Sequence, residues 1–372
     1  MFKYHRLIAG ILLLCFVMNI YFWRQYSSWK LSRKFISKNR DEATSDILTT
    51  EKLTTENERP MSTVPSVKIT KQQPNKFSVE NMTEREYYKL NAAIVNPHDF
   101  KYRIQTPICK SNNPPYLLIF IYSRPAARDV RDSIRKTWGS VATGQPNRWP
   151  NNRTISKTVS LFFLLGITDD KENETQLLSE SAQYNDLIQE DFYDSYVNLT
   201  LKSIMALKLA RNCSGARFLM KCDDDMFVNI HDLVKYLETK ENQLNNSIVG
   251  HILSGAPVRR IGKWAVPKSS FPFSKYPRYV SGNAYVMSLE VASILYDVSL
   301  HVAIFNIEDA YITGVCAKIA KIQLVFHKGF TNIGGTRATK CEIVNGSKIT
   351  ATRYKPRDLM QIWKALLSSY KC

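Results

Sequence analysis

Apolar positions fall into short continuous runs, separated by stretches where they recur every three or four residues. Tyr116–Tyr122 (YLLIFIY), Val159–Leu165 (VSLFFLL), the run at Phe218–Met220, Ile248–Leu253 and Tyr279–Met287 are such runs. Their brevity and their aliphatic and aromatic content predict strands buried on both faces. Between them, Ala126–Trp138 spaces Val130, Ile134 and Trp138 four apart, which predicts a helix. Glu172–Ile188, Leu199–Ala210, Ile230–Thr239 and Ile307–Ile319 predict further helices. Pro356 opens a last amphipathic one through Leu359, Ile362, Trp363 and Leu366. Strand–helix alternation with near-continuous apolar strands predicts an α/β domain built on a mainly parallel sheet covered on both faces.

The two ends of the pattern differ from the middle. Leu7–Trp23 carries no charge and is just long enough for a thin bilayer. It closes on Tyr21, Phe22 and Trp23, which suit a membrane interface better than a signal-peptide cleavage site. We therefore expect a tail over 1–6, an uncleaved signal-anchor over 7–23 and a folded domain over 106–372. Residues 24–105 between them are rich in Thr, Ser, Glu, Asn and Lys, which predicts a flexible stem. The bias of Arg24, Lys30, Arg33 and Lys34 over Lys3 and Arg6 favours a cytosolic C-terminal side. Seven sequons (Asn81, Asn152, Asn173, Asn198, Asn212, Asn245 and Asn345) and six cysteines after Cys15 favour a lumenal one.

The formal charge of +18 allows nucleic acid, a membrane surface or an anionic substrate as partner. No helix-turn-helix, zinc-finger or RNP pattern is present, so nucleic acid is set aside. Candidate chemistry centres on Asp223, Asp224 and Asp225, directly after an apolar run. Adjacent carboxylates at a strand end repel and gain nothing from packing, so a cation or basic groups should join them. Capping of the following helix is the plainer alternative. An EF-hand is excluded because its sixth position would be Val228 rather than Gly. Arg131 and Arg135 share a helical face just after the first strand and form a candidate anion site, unless they simply face solvent. The irregular connection Ala256–Pro277 is basic and aromatic, and a loop of this length reads as a binding loop. Trp264, Phe271, Phe273 and Tyr276 would offer ring faces to a sugar.

RDSIRKTWG (131–139), LFFLLG (161–166), DFYDSYVNLTLKS (191–203), KCDDDMFVN (221–229), YPRYVSGNAYVMS (276–288) and EDAYITGVC (308–316) occur in this order. Together they resemble the β-1,3-galactosyltransferase and β-1,3-N-acetylglucosaminyltransferase family of Golgi enzymes, over roughly residues 109–368. The resemblance implies a GT-A fold, Rossmann-like, in a type II Golgi membrane protein with a lumenal catalytic domain. It implies transfer of a sugar from a UDP-sugar, with inversion, to the 3-hydroxyl of an acceptor glycan on a glycoprotein or glycolipid. On that likeness Asp223 and Asp225 hold a divalent cation, usually Mn²⁺, against the donor pyrophosphate, with Asp224 beside them. Arg131 and Arg135 join the donor pocket, and Asp309 is the catalytic base, with Glu308 adjacent to raise a pKa or cap the helix. The family commonly has a cation-ligating His four residues before the Pro of the last helix; here that residue is Thr352. Gly282-Asn283-Ala284 also departs from a more glycine-rich pattern. UDP-galactose is the leading donor, with UDP-GlcNAc or UDP-GalNAc, or a non-catalytic glycan-binding role, as the alternatives.

Overall fold

Among the described residues, eight strands form the central sheet: β1 (Tyr102–Ile104), β2 (Leu117–Tyr122), β3 (Val159–Ile167), β4 (Leu187–Tyr193), β5 (Phe218–Asp223), β6 (Ser247–Leu253), β7 (Tyr279–Ser288) and β8 (Gln323–Phe326). Their order is β1-β4-β3-β2-β5-β7-β6-β8. β4, β3, β2 and β5 run parallel to one another, as β6 and β8 do; β1 and β7 are antiparallel to their neighbours. The expected mainly parallel sheet is therefore present. The computed structural model describes residues 79–109, 114–143, 148–213, 215–332, 334–368 and 372. The expected tail, signal-anchor and residues 24–78 of the stem lie outside the described residues. Among the described residues, no helix is long and apolar enough to cross a membrane.

Strand periodicity splits the core into two layers. Leu117, Ile119 and Ile121 point to one face, with Trp138, Phe163 and Met220. Leu118, Phe120 and Tyr122 point to the other, with Phe162, Leu164 and Met205. Helices α1 (Arg128–Arg135), α2 (Lys171–Tyr184), α3 (Leu199–Arg211), α4 (Ile230–Lys240), α5 (Leu289–Ser299) and α6 (Pro356–Leu367) supply the covering residues. Each fully buried aliphatic or aromatic side chain contributes about 1.5–3 kcal/mol, so both faces must be covered for the sheet to form. β2 and β5 pair in register from Leu117↔Phe218 to Tyr122↔Asp223. That register sets the loop after β2 beside the carboxylate run after β5.

Several boundaries differ from the apolar pattern. Leu187 and Ile188, expected in the helix from Glu172, begin strand β4 instead. Helix α2 stops at Tyr184 because Asn185 turns left-handed (φ 50°) and ends it. The polar Gln189 and Glu190 hid the strand; Glu190 is buried by pairing with His98 at 2.8 Å and Lys208 at 3.2 Å. The end of the expected stem, residues 79–105, is folded onto the domain: Val79, Tyr87, Asn96 and His98 are buried, and β1 pairs with β4. Cys109 pairs with Cys213 and Cys341 with Cys372. Cys222 and Cys316 are free thiols in the core.

Candidate active site

β5 carries an amine and a carboxylate to the same sheet edge. Lys221 and Asp223 stand two apart on one strand, so their side chains share a face. The Lys221 ammonium is buried and lies 2.8 Å from Asp223 Oδ1 and 3.6 Å from Glu308 Oε2. It also donates to the Gly282 carbonyl and sits 4.6 Å from the Tyr122 ring centre. Burial pushes its pKa down, but the Asp223 and Glu308 charges outweigh that, and the net shift is upward. Lys221 thus links the carboxylate run to the acidic pair 308–309. The alternation rule applied to KCDDD would have revealed it; the sequence reading did not.

Asp309 starts a π-helix, Ala310–Cys316, a form often found at functional sites. Its two carboxylate oxygens accept the backbone N–H groups of Gly282 (2.8 Å) and Ala310 (2.9 Å), which fixes its orientation. Burial raises its pKa, against those two hydrogen bonds. Gly282 leaves room for this carboxylate: a Cβ there would lie 3.0 Å from Asp309 Cβ and Oδ2 and would have to push it aside by a few tenths of an ångström. Glu308 accepts from the Tyr285 hydroxyl at 2.8 Å, and burial lifts its pKa to about 7 despite Lys221.

On the other side of Asp223, Asp224 accepts from Ser123 Oγ at 2.9 Å, and burial raises its pKa. Burial, then the charges of Asp223 and Asp224, push Asp225 up to about 6. Tyr354 N–H donates to the Asp225 carbonyl at 2.9 Å, and Trp138 Nε1 donates to that of Met226 at 2.9 Å. The run is thus clamped by its backbone while its carboxylates remain crowded together. Asp223 gives one oxygen to Lys221, and the Asp225 carboxylate accepts the Arg353 N–H. Among the described residues no group of three or more His, Cys, Asp or Glu is arranged to hold a metal by itself. Thr352 is buried with its hydroxyl unpartnered. His327 is occupied structurally: its Nδ1 accepts the Gly329 N–H, and its ring packs on Tyr236.

Arg131 and Arg135 correct the expectation of an anion-binding pair. Arg131 is fully buried, bonded twice to Glu180 at 2.7 Å and to the carbonyls of Arg124 and Pro125. Arg135 bonds Glu180 and Asp186 at 2.8 Å and stacks 3.9 Å from the Tyr184 ring centre. Neither guanidinium has a face left for a ligand. Arg131 acts on the site indirectly, because it holds the Ser123–Pro125 loop whose serine bonds Asp224, and Arg135 joins it through their shared Glu180. Glu180 and Asp186 went unrecognised because their partners lie about fifty positions away in sequence.

An open cleft of about 330 Å³ gathers Lys221, Asp223, Glu308 and Asp309 on its floor. Tyr196, Arg259, Trp264 and Tyr276 line it as well, so the Ala256–Pro277 connection supplies one wall. Trp264 Nε1 donates to the Tyr196 hydroxyl at 2.7 Å. Burial raises the Tyr196 pKa against that bond, and the carboxylates of Asp309, Asp223 and Glu308 add to the rise. Of the four aromatics expected to bind, Trp264 and Tyr276 reach the cleft. Phe271 and Phe273 pack instead into a ring cluster with Tyr87, because their rings meet edge-on at about 5.3 Å and are shielded from solvent.

Residues 129–327, more than half of the chain, match the profile of the family described as Galactosyltransferase. The chain is 33% identical to human beta-1,3-galactosyltransferase 1 over 277 residues, 74% of this chain and 81% of that protein. It is 36% identical to beta-1,3-galactosyltransferase 5 of Pan paniscus over 260 residues, 68% of this chain and 81% of that one.

Proposed function

The chain belongs to the galactosyltransferase family and is a transferase, and from that premise we propose that it moves galactose from UDP-galactose to the 3-hydroxyl of an acceptor glycan. The single observation that carries this reading is the shared lining of the cleft, where Asp223 and Glu308 flank the buried Lys221 and Asp309 follows Glu308. Asp309, held by two backbone N–H groups and with a raised pKa, suits a base that takes the acceptor hydroxyl's proton as it attacks the anomeric carbon. Attack from that side inverts the anomeric centre. The cleft walls hold the two sugars in line, which removes several kcal/mol of entropic barrier. A divalent cation, Mn²⁺ by our reading, would be held by Asp223 and Asp225 and would offset charge on the departing diphosphate. The residues fit such an ion in their chemistry: adjacent carboxylates are at hand, and burial with the charges of Asp223 and Asp224 raises the Asp225 pKa against the Arg353 N–H and the Lys221 charge. Oxygen donors of this kind suit hard cations.

We place the domain in a GT-A fold on the lumenal side of the Golgi membrane, behind a signal-anchor. The two cysteine pairings are in keeping with an oxidising compartment. The test is release of UDP from UDP-galactose, UDP-GlcNAc and UDP-GalNAc by the full-length chain, with a panel of acceptor glycans. Turnover dominated by UDP-galactose is expected. Preference for an N-acetylhexosamine donor replaces the donor assignment, and no turnover with any of the three favours a glycan-binding role.

A further inference from the structure

The cleft wall carries two ring-stacked cations without a carboxylate partner. The Lys263 ammonium lies 4.2 Å from the Tyr196 ring centre, and the Arg259 guanidinium lies 4.8 Å from that of Trp264. Among the described residues, the other cations that stack on a ring also hold a carboxylate. Arg211 has Asp297, Lys318 has Glu84, and Arg337 has Asp358. Lys157, Lys208 and Arg217 likewise have Glu238, Glu190 and Glu241. Arg259 and Lys263 alone pair with no carboxylate there.

Nor is their loop loosely placed. Arg260, between them in sequence, turns inward and donates to the carbonyls of Val266, Phe271, Pro272 and Phe273. Isolated bridges join Pro257 to Lys275 and Arg259 to Ala265. The loop is thus pinned so that Arg259 and Lys263 stand exposed at the rim, above the two rings that line the cleft.

We propose that the missing anion is supplied by the acceptor: the glycan that enters this cleft carries a negative group, a carboxylate or a sulfate ester, on the accepting sugar or its neighbour. Its sugar ring docks on Trp264 and Tyr196, and its anion meets Arg259 and Lys263. The rim position is a physical requirement as well as an observation. An anion placed deeper would face Asp223, Glu308 and Asp309, and like charges there would repel it. Stacking on a ring presets each cation, so that less side-chain freedom is lost when the anion binds. This inference rests on the transferase reading for the word acceptor, but its geometry stands on binding alone.

The test compares three disaccharides of one backbone, neutral, uronate and sulfated, using the full-length chain. Both kcat/KM and, by calorimetry, the Kd are measured for wild type and for Arg259→Gln/Lys263→Gln. Charge-assisted hydrogen bonds of this kind are worth roughly tenfold or more, so an anionic disaccharide should outdo the neutral one by that factor. The factor should collapse in the double variant, and 0.5 M salt should shrink it in wild type. Which of the two anions gains identifies its source. Equal Kd values for all three sugars overturn the proposal. So does a double variant that keeps the preference, or one that raises the KM for UDP-sugar instead, since the cations then serve the diphosphate. Preferential binding without any sugar transfer leaves this inference standing and removes the transferase reading.

Discussion

Two clusters of buried charge, on either side of strand β2, behave in opposite ways. Below the Ser123–Pro125 loop, Arg131 and Arg135 face Glu180 and Asp186, and every guanidinium edge is matched by a carboxylate or carbonyl. Along the cleft, Asp223, Glu308 and Asp309 stand near one buried amine, Lys221, which pairs with the first two, while Asp224 and Asp225 follow Asp223 in the run. Lys202 comes near but is engaged by Asp194 and the Ser123 carbonyl. The first cluster is balanced and closed, and it stabilises the fold around the site. The second is over-negative and lines an open cleft, which is the basis for the proposed cation. Net charge within reach, rather than the presence of arginine, separates the binding cluster from the structural one.

The contrast breaks most sharply at its two centres. Asp309→Asn keeps the shape but removes the base, and should cut kcat by about 10²–10⁴-fold with little change in Tm. Retained kcat would move the base elsewhere. Arg131→Ala leaves buried Glu180 with Arg135 as its one remaining cation and frees the Arg124 and Pro125 carbonyls, and should cost about 3–5 kcal/mol of stability by denaturant unfolding. A loss under 1 kcal/mol would show that the balanced cluster does not hold the fold.

The pH response sharpens the comparison. Glu308 titrates in the fold at about 7, above its ordinary 4.5, so the folded state keeps its proton longer. Its contribution to stability is complete at low pH, declines as pH rises from about 4.5 to about 7, and is flat beyond. Glu308→Gln should flatten that decline in a series of unfolding curves; an unchanged slope would place the titration elsewhere. The smallest effect concerns Thr352, whose buried hydroxyl has no partner. Thr352→Val should stabilise the ligand-free protein by up to about 1 kcal/mol, because an unsatisfied polar group is removed. A marked destabilisation would mean the hydroxyl is bonded after all.

Much of this was legible in the chain. The apolar runs located β2, β3, β5, β6 and β7, and EDAYITGVC placed Asp309 at a helix start. Strand β4 was hidden because its Gln189 and Glu190 are buried through hydrogen bonds and ion pairs that no local pattern announces. Residues 79–105 resembled a stem in composition, yet Asn96 is buried through bonds to carbonyls two hundred positions on. The acidic run was readable as a crowded carboxylate cluster at a strand end, whereas the partners of Arg131 and Arg135 depended on where α2 and β4 packed. Phe271 and Phe273 were indistinguishable in sequence from the neighbouring Trp264, since solvent exposure of a loop aromatic is decided by the fold.

The central claim is that the surplus negative charge at the strand β5 end holds a cation against a nucleotide diphosphate. Calorimetric titration of UDP into the full-length chain, with Mn²⁺ and then with EDTA, tests it most directly, alongside Asp225→Asn. Affinity at least tenfold tighter with Mn²⁺, and lost in the variant, is the predicted result. The same affinity in EDTA, or an unaffected Asp225→Asn protein, would contradict it.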